Sequence, residues 1–74
     1  MDIEHLEKRF GIAAVDKGFI TSDHVVEALT IQVAEDLSVG KHRPIGKILF
    51  ENELITLQQV DEVLKSMEIS ENNV

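Results

Sequence analysis

The chain has 74 residues, of which 14 are acidic and 7 are lysine or arginine, so its formal net charge is -7, and it contains no cysteine. This composition excludes a disulfide framework, and the negative charge disfavours binding to the phosphate backbone of duplex nucleic acid. No apolar run approaches the roughly 20 residues of a membrane span, and the acidic start lacks the basic-then-apolar order of a signal peptide. We therefore expect a cytoplasmic protein without membrane insertion.

The first predicted helix covers an N-terminal extension and the segment that follows it. Asp2 is placed to cap its start. Apolar residues then recur at helical spacing: Ile3, Leu6 and Phe10. We expect this helix to be continuous or kinked at Gly11. At its end, Gly18 suits the left-handed position that closes a helix, with Phe19 packing back onto it.

The second predicted helix begins after Thr21, which is placed as its N-cap, and Ile20 can pack on Val25 as a hydrophobic staple. One helical face collects Val25, Leu29, Gln32, Val33 and Leu37. More apolar residues widen this arc: Val26, Ile31 and Ala34. One helix pair cannot cover such an arc. Either the N-terminal extension packs there, or the surface meets another protein or a second copy of this chain.

The connector SVGKHRP is the only clear linker, and a short third helix follows it. Pro44 suits the first helical position, which places Gly46 in the first turn. Glu53 stands where the first half has Gly18, so we expect Asn52 to end this helix one residue sooner. The connector also holds the one basic cluster of the chain, which is either a solvated loop or a contact for phosphate or an acidic partner.

The fourth predicted helix has Thr56 as its N-cap, and Gln59 completes a capping box. Ile55 can staple onto Val60, as Ile20 does in the first half. One face of the helix is apolar: Leu57, Val60, Val63, Leu64 and Met67. Residues 70–74 are polar and lack periodicity, so we predict a disordered tail.

The two halves of the chain repeat each other at an offset of 35 residues, which pairs Thr21 with Thr56 and Gly11 with Gly46. The sequence therefore predicts an all-α fold, a small four- to five-helix domain over 1–69 made of two repeated helix-turn-helix units, 9–32 and 44–67. The predicted core comprises Phe10, Ala14, Val15, Ile20, Val25, Leu29, Val33, Ile45, Ile48, Leu49, Ile55, Val60, Leu64 and Met67.

Both units keep a glycine inside a helix, at Gly11 and Gly46. A helical glycine costs about 1 kcal/mol relative to alanine. Two explanations are open: another helix packs closely against the bare backbone, or a ligand lies against it.

The segment RFGIAAVDKGFITSDHVVEALTIQ, residues 9–32, resembles the N-terminal domain family of type II secretion and type IV pilus ATPases, the general secretory pathway protein E type. The family pattern is RLGxxLVxxGLIxxxxLxxxLxxQ. Seven residues match it outright: Arg9, Gly11, Val15, Gly18, Ile20, Leu29 and Gln32. Four more match it in apolar character: Phe10, Ala14, Phe19 and Val25.

One branch of that family, the MshEN-type domain, binds cyclic di-GMP through tandem copies of the pattern. The resemblance implies that Arg9 and Gln32 make the polar contacts, and that Gly11 allows close approach of the ligand. It also implies an apolar wall around the nucleotide, formed by Phe10, Ala14, Phe19 and Ile20. Gly18 belongs to the same motif, and Arg43 lies one residue before the place of a second arginine.

The second unit departs from the pattern, since Pro44 replaces the arginine, Glu53 the second glycine and Met67 the glutamine. Family members without nucleotide binding use such domains to recruit a partner. The leading hypothesis is a docking module that displays the second helix and the basic connector to a protein of secretion or pilus machinery, or to a signalling component. A homodimer is left open. The alternative is a cyclic di-GMP receptor.

We predict no enzymatic activity and no cofactor other than cyclic di-GMP as a ligand. The phosphate loop Gly-x-x-x-x-Gly-Lys-Ser/Thr is absent from the chain, and four short helices enclose little volume for a nucleophile and its base. The histidines His5, His24 and His42 lack metal-ligand spacing and are expected to face solvent.

Overall fold

The computed structural model describes the backbone of residues 3–72 and the side chains of residues 7–67. Over this range the chain is helical, with no strand in the described part. The four helices are α1 (Ile3–Asp16), α2 (Ser22–Ser38), α3 (Ile45–Glu51) and α4 (Leu57–Asn72). The predicted all-α fold is confirmed. None of the helices in the described range is long and apolar enough to span a bilayer.

The two hairpins interlock instead of packing as separate pairs. Helix α1 packs most extensively on α4, and α2 packs most extensively on α3. Helices α1 and α3 also pack against each other, whereas no Cα atoms of α2 and α4 lie within 8 Å of each other over residues 3–72. The second helix of each hairpin therefore buries its face mainly against the first helix of the other hairpin.

Residues that are equivalent in the repeat exchange contacts across the α1–α3 interface. A Cβ atom placed on Gly11 would lie 3.4 Å from Cδ1 of Ile45, and one placed on Gly46 would lie 3.2 Å from Cζ of Phe10. The offset of 35 residues relates Phe10 to Ile45 and Gly11 to Gly46. Such reciprocal contacts are the mark of a two-fold relation between two units. They support an internal structural repeat, while its boundaries stay a prediction.

The core lies between the helices and contains Phe10, Ala14, Ile20, Ala28, Ile45, Ile48, Leu49, Ile55 and Val63. The core prediction is wrong for two residues, because Val33 is 52% exposed and Leu64 is 51% exposed. Ala28 and Val63 are buried in their helices instead. Other predicted core residues are partly buried against it: Val15, Val25, Leu29, Val60 and Met67. Adjacent apolar residues leave the rotation of a helix ambiguous, and packing settles it.

The first hairpin turn closes as predicted. Gly18 has a φ of 78°, and the amide of Phe19 donates to the carbonyl of Ala14 at 3.1 Å. The amide of Gly18 donates to the carbonyl of Val15 at 2.9 Å, which completes a Schellman motif. Glycine fits here because it carries no Cβ to clash in the left-handed region.

The second hairpin turn has the same geometry without the glycine. Glu53 adopts a φ of 61°, and the amide of Leu54 donates to the carbonyl of Leu49 at 2.9 Å. The prediction that Asn52 would take the closing role is wrong, since its φ is -88°. The two Schellman hydrogen bonds outweigh the strain at Glu53, because a left-handed L-residue costs only about 1 to 2 kcal/mol.

Replacing Glu53 by glycine is therefore expected to raise the free energy of unfolding by about 1 kcal/mol. The matched change is Gly18→Ala, whose added Cβ would meet no atom within 4 Å, so only the φ of 78° opposes it. It should lower the free energy of unfolding by about 1 kcal/mol. Urea denaturation of both variants measures this. Equal effects of the same sign would contradict the assigned turn geometry.

Both predicted N-caps are confirmed. The amide of Gln59 donates to Thr56 Oγ1 at 3.1 Å, and Gln59 Oε1 accepts from the amide of Thr56 at 3.0 Å. Thr21 and His24 form the corresponding box, with both hydrogen bonds at 3.2 Å. In that box the imidazole Nδ1 of His24 takes the acceptor role usually filled by glutamate or glutamine.

Helix α1 runs through Gly11 without a break, one of the two possibilities left open by the sequence, and this glycine lies in its third turn. Two helix boundaries differ from the predictions. Pro44 is the N-cap of α3 and not its first helical residue. Helix α4 continues to Asn72, so the backbone is helical over 70–72 of the tail predicted to be disordered. No glycine or proline interrupts α4. Residues 73–74 and the predicted cap Asp2 lie outside the described residues.

Candidate functional site

The eight candidate ligand residues do not converge on one surface. They are Arg9, Phe10, Gly11, Gly18, Phe19, Ile20, Gln32 and Arg43. Phe10, Gly11 and Ile20 are buried, Gly18 is exposed at the hairpin turn, and Phe19 is partly buried against the core. The residues expected to form an apolar wall around a ligand therefore contact the interior of the helical domain.

The two predicted polar contacts, Arg9 on α1 and Gln32 on α2, are separated by helix α1. Gln32 meets the side of α1 that carries Glu7, and Arg9 lies on the opposite side. Gln32 is 3% exposed and its Nε2 donates to Glu7 Oε2 and to the carbonyl oxygen of Arg43, the latter at 2.7 Å. Arg9 follows Glu7 by two positions, which is roughly 200° around a helix. Arg9 lines a shallow groove between α1 and α4, with Ile12 and Met67 among its neighbours. The structure does not bring Arg9 and Gln32 together.

Gly11 is explained by helix packing and not by a ligand. A Cβ atom at this position would lie 2.8 Å from Cγ1 and 3.2 Å from Cγ2 of Val25. Ile45 closes the other side at 3.4 Å. The bare backbone is therefore covered by α2 and α3, which was one of the two explanations left open by the sequence.

The structure reveals a polar network centred on Glu7, a residue that the sequence analysis did not single out. Glu7 is 7% exposed although it is charged. Its Oε1 accepts from the amide of Ile45 at 3.2 Å, and its Oε2 accepts from Gln32 and lies 3.2 Å from Nε2 of His42. The carboxylate thereby joins α1, α2, the connector and α3.

Glu7 supplies the cap that α3 lacks. Pro44 occupies the N-cap but makes no side-chain capping hydrogen bond. The Glu7 carboxylate accepts from the first amide of the helix, at Ile45, and a negative charge there also complements the helix dipole. One sequence signal points to this role: Glu7 stands three residues before buried Phe10, on the side of α1 that faces the interior.

Arg43 links the C-terminal part of α2 to α3 through two carboxylates. Its guanidinium donates to both carboxylate oxygens of Glu35, with Nε 2.8 Å from Oε1, and also donates to Glu51. This bidentate geometry is the strongest form of ion pair between such groups. The hydrogen bond from Arg43 lowers the pKa of Glu35, and its carboxylate partners raise the pKa of Arg43.

His42 lies between two carboxylates and is not simply solvent-facing as predicted. Its Nδ1 is 3.2 Å from both oxygens of Asp36, and its Nε2 is 3.2 Å from Glu7. Only the imidazolium form can donate from both ring nitrogens. The hydrogen bond to Asp36 is the main cause that raises the pKa of His42, and the charge of Glu7 adds to it against partial desolvation.

Stability is expected to fall as the pH rises above about 6.5, the ordinary pKa of histidine. The pKa of His42 is higher in the folded state, so its contribution is complete below about 6.5 and is lost as the pH passes the folded pKa. The change should be small because the side chain is 38% exposed. Urea denaturation at several pH values measures it. His42→Gln should flatten this limb, and an unchanged slope would contradict the assignment.

Two basic residues of the exposed connector are thus engaged by the rest of the domain. Arg43 and His42 are engaged by residues of α1, α2 and α3. The loop is therefore only partly solvated, since Arg43 is held by two carboxylates while Lys41 is exposed; an outward contact with a phosphate or an acidic partner stays a prediction. Over the described residues, no group of three or more histidine, aspartate or glutamate side chains is arranged to hold a metal ion.

A scan against protein-family models, a search of curated proteins and a search of solved structures each returned no significant match to this chain. The resemblance to secretion-ATPase N-terminal domains accordingly rests on the motif in residues 9–32.

Proposed function

We propose that this chain is a non-catalytic protein-docking module. Its motif resembles that of the N-terminal domains of secretion and pilus ATPases. The observation that supports this most is an apolar surface on the outer side of α2. Val26 is 63% exposed and Leu37 is 84% exposed, while the opposite side of α2 buries Ala28 and Gln32. Of the two coverings left open by the sequence, the extension contacts α2 through Glu7 and Gln32, on the side opposite Val26 and Leu37. Exposed apolar patches on small domains mark interaction sites.

A cyclic di-GMP receptor built on Arg9 and Gln32 is less well supported. Binding would require the buried amide of Gln32 to leave Glu7 and the carbonyl of Arg43. It would also require Arg43 to leave Glu35 and Glu51. Each lost hydrogen bond that leaves a buried group unsatisfied costs about 1 to 3 kcal/mol, which subtracts from the affinity.

Two measurements separate these functions. An affinity-tagged chain is expected to retain a protein from an extract of its own cells, and that protein, once purified, should bind saturably and with one-to-one stoichiometry. Cyclic di-GMP at millimolar concentration should leave the amide resonances of Gly11, Gly18 and Gln32 in place. Failure to recover any saturable protein partner would count against docking. Shifts at those amides that disappear in Arg9→Ala would favour the nucleotide receptor.

A further inference from the structure

Four exposed residues of α2 form a continuous seam with a defined spacing. Val26, Thr30, Val33 and Leu37 follow one another at intervals of four, three and four residues, and all four are exposed. This spacing places them along one face of a helix, which is the pattern by which two helices pack in a coiled coil. We call these four residues the α2 seam.

The borders of the α2 seam are acidic. Glu27 and Asp36 lie beside it on the helix surface, Asp23 stands one turn before its first residue, and all three are exposed. Helix α2 contains four acidic residues and no lysine or arginine. The chain as a whole carries a net charge of -7, so its long-range field has the same sign as these borders.

Charge decides which kind of helix fits this seam. Glu35 and Asp36 already pair with Arg43 and His42, so a second copy of this chain would bring its own Asp23 and Glu27 to the interface, with no lysine or arginine of α2 to balance them. Like charges set side by side across an interface are repulsive, while opposite charges at the flanks of a helical seam select the partner. The chemistry therefore favours a helix with apolar residues along its seam and basic residues at its flanks.

We propose that the α2 seam docks a basic amphipathic helix of another protein. This inference rests on the proposed docking function and adds the class of partner. The partner's apolar side chains would cover Val26, Val33 and Leu37, and its lysine or arginine side chains would lie near Asp23 and Glu27. Thr30 in the middle of the seam keeps a hydroxyl that already donates to the carbonyl of Val26 at 2.8 Å, so it needs no partner of its own.

The test uses two designed peptides and the full chain. Both peptides are helical, with leucines at alternating intervals of three and four residues, and they differ only in carrying lysine or glutamate at the flanks. The lysine peptide is expected to bind at least tenfold more tightly than the glutamate peptide. This difference should shrink in 1 M salt, where the Debye length is about 3 Å. Amide shifts should map to the outer side of α2.

Matched variants localise the contact. Val33→Gln is expected to weaken binding of the lysine peptide about tenfold, as expected for the loss of one buried apolar side chain. Leu64→Gln on α4 alters a leucine of nearly the same exposure, 51% against 52%, and should leave binding unchanged. Because both residues are on the surface, neither change should unfold the domain. Equal binding of the two peptides, or equal loss in the two variants, overturns the inference.

The outcomes also separate this inference from the docking function. A captured protein that binds Val33→Gln as tightly as the unaltered chain overturns the α2 seam and leaves docking standing. Selective binding of the lysine peptide with no protein recovered from the cell extract overturns the docking function, although the seam keeps its helix preference. Binding of a second copy at the seam, seen as concentration-dependent dimerisation lost in Val33→Gln, overturns the assignment to a basic partner.

Discussion

Glu7→Ala is expected to lower the free energy of unfolding by about 3 kcal/mol. Glu7 is buried and accepts from Gln32 and from the amide of Ile45, so its removal leaves two donors without their acceptor. It also removes one of the two carboxylates beside His42. A domain of this size has a total stability of about 4 to 11 kcal/mol, so the loss would be a large part of it. Urea denaturation followed by circular dichroism measures the change.

The control for this variant is Glu27→Ala, which removes an exposed carboxylate from α2 with the same change in charge. Its effect should stay within about 0.5 kcal/mol, as for most surface substitutions. Where Glu7→Ala does not fold, Glu7→Gln provides a milder test, because the amide keeps one acceptor oxygen but loses the charge. A Glu7→Gln protein as stable as the unaltered chain would show that neither the charge of Glu7 nor its second acceptor oxygen adds to stability.

Gly11→Ala is expected to destabilise the domain, although alanine is the better helix former. The new Cβ would lie 2.8 Å from Cγ1 of Val25, and Cγ2 at 3.2 Å prevents a simple rotation from relieving the clash. Overpacking of this kind costs about 2 kcal/mol, and the gain in helix propensity returns about 1 kcal/mol. The net loss should therefore be about 1 kcal/mol.

The same substitution should change sign when Val25 is alanine, because both γ-carbons are then gone. In the Val25→Ala background, Gly11→Ala is expected to stabilise by about 1 kcal/mol, so the coupling between the two sites is about 2 kcal/mol. Thermal or urea unfolding of the four proteins completes the cycle. Gly46→Ala is a useful comparison, since its Cβ would meet Phe10 at 3.2 Å and should cost less. Additive effects at positions 11 and 25 would contradict the packing explanation.

The sequence predicted both N-caps and the glycine turn well because their determinants are local. Thr21 and Thr56 each bond to an amide three residues away, and Gly18 closes its turn through its own φ. Such contacts depend on neighbours within one helical turn, which the sequence shows directly. The wrong prediction, that Asn52 instead of Glu53 would close the second turn, also concerned a local determinant. The turn formed there too, and the chain accepted a strained residue to keep it.

The candidate site was predicted less well, because its residues are brought together or kept apart by packing. Gln32 was selected for a ligand, yet it bonds to Glu7, which is 25 positions away. Arg43 was a candidate ligand residue, yet it pairs with Glu35 and Glu51. A motif records residue types at fixed spacing, and it cannot record which other side chains of the same chain reach those groups first.

The sequence by itself determined the all-α fold class, both N-caps, the glycine turn and the repeat that relates the two halves. The tertiary structure alone decided which side of each helix is buried, so that Ala28 and Val63 lie inside while Val33 and Leu64 lie outside. It also decided that Glu7 caps α3 across 38 residues. The reason is physical: caps and turns are made by residues one turn apart, whereas helix rotation follows from the total burial of apolar surface and from hydrogen bonds between distant segments.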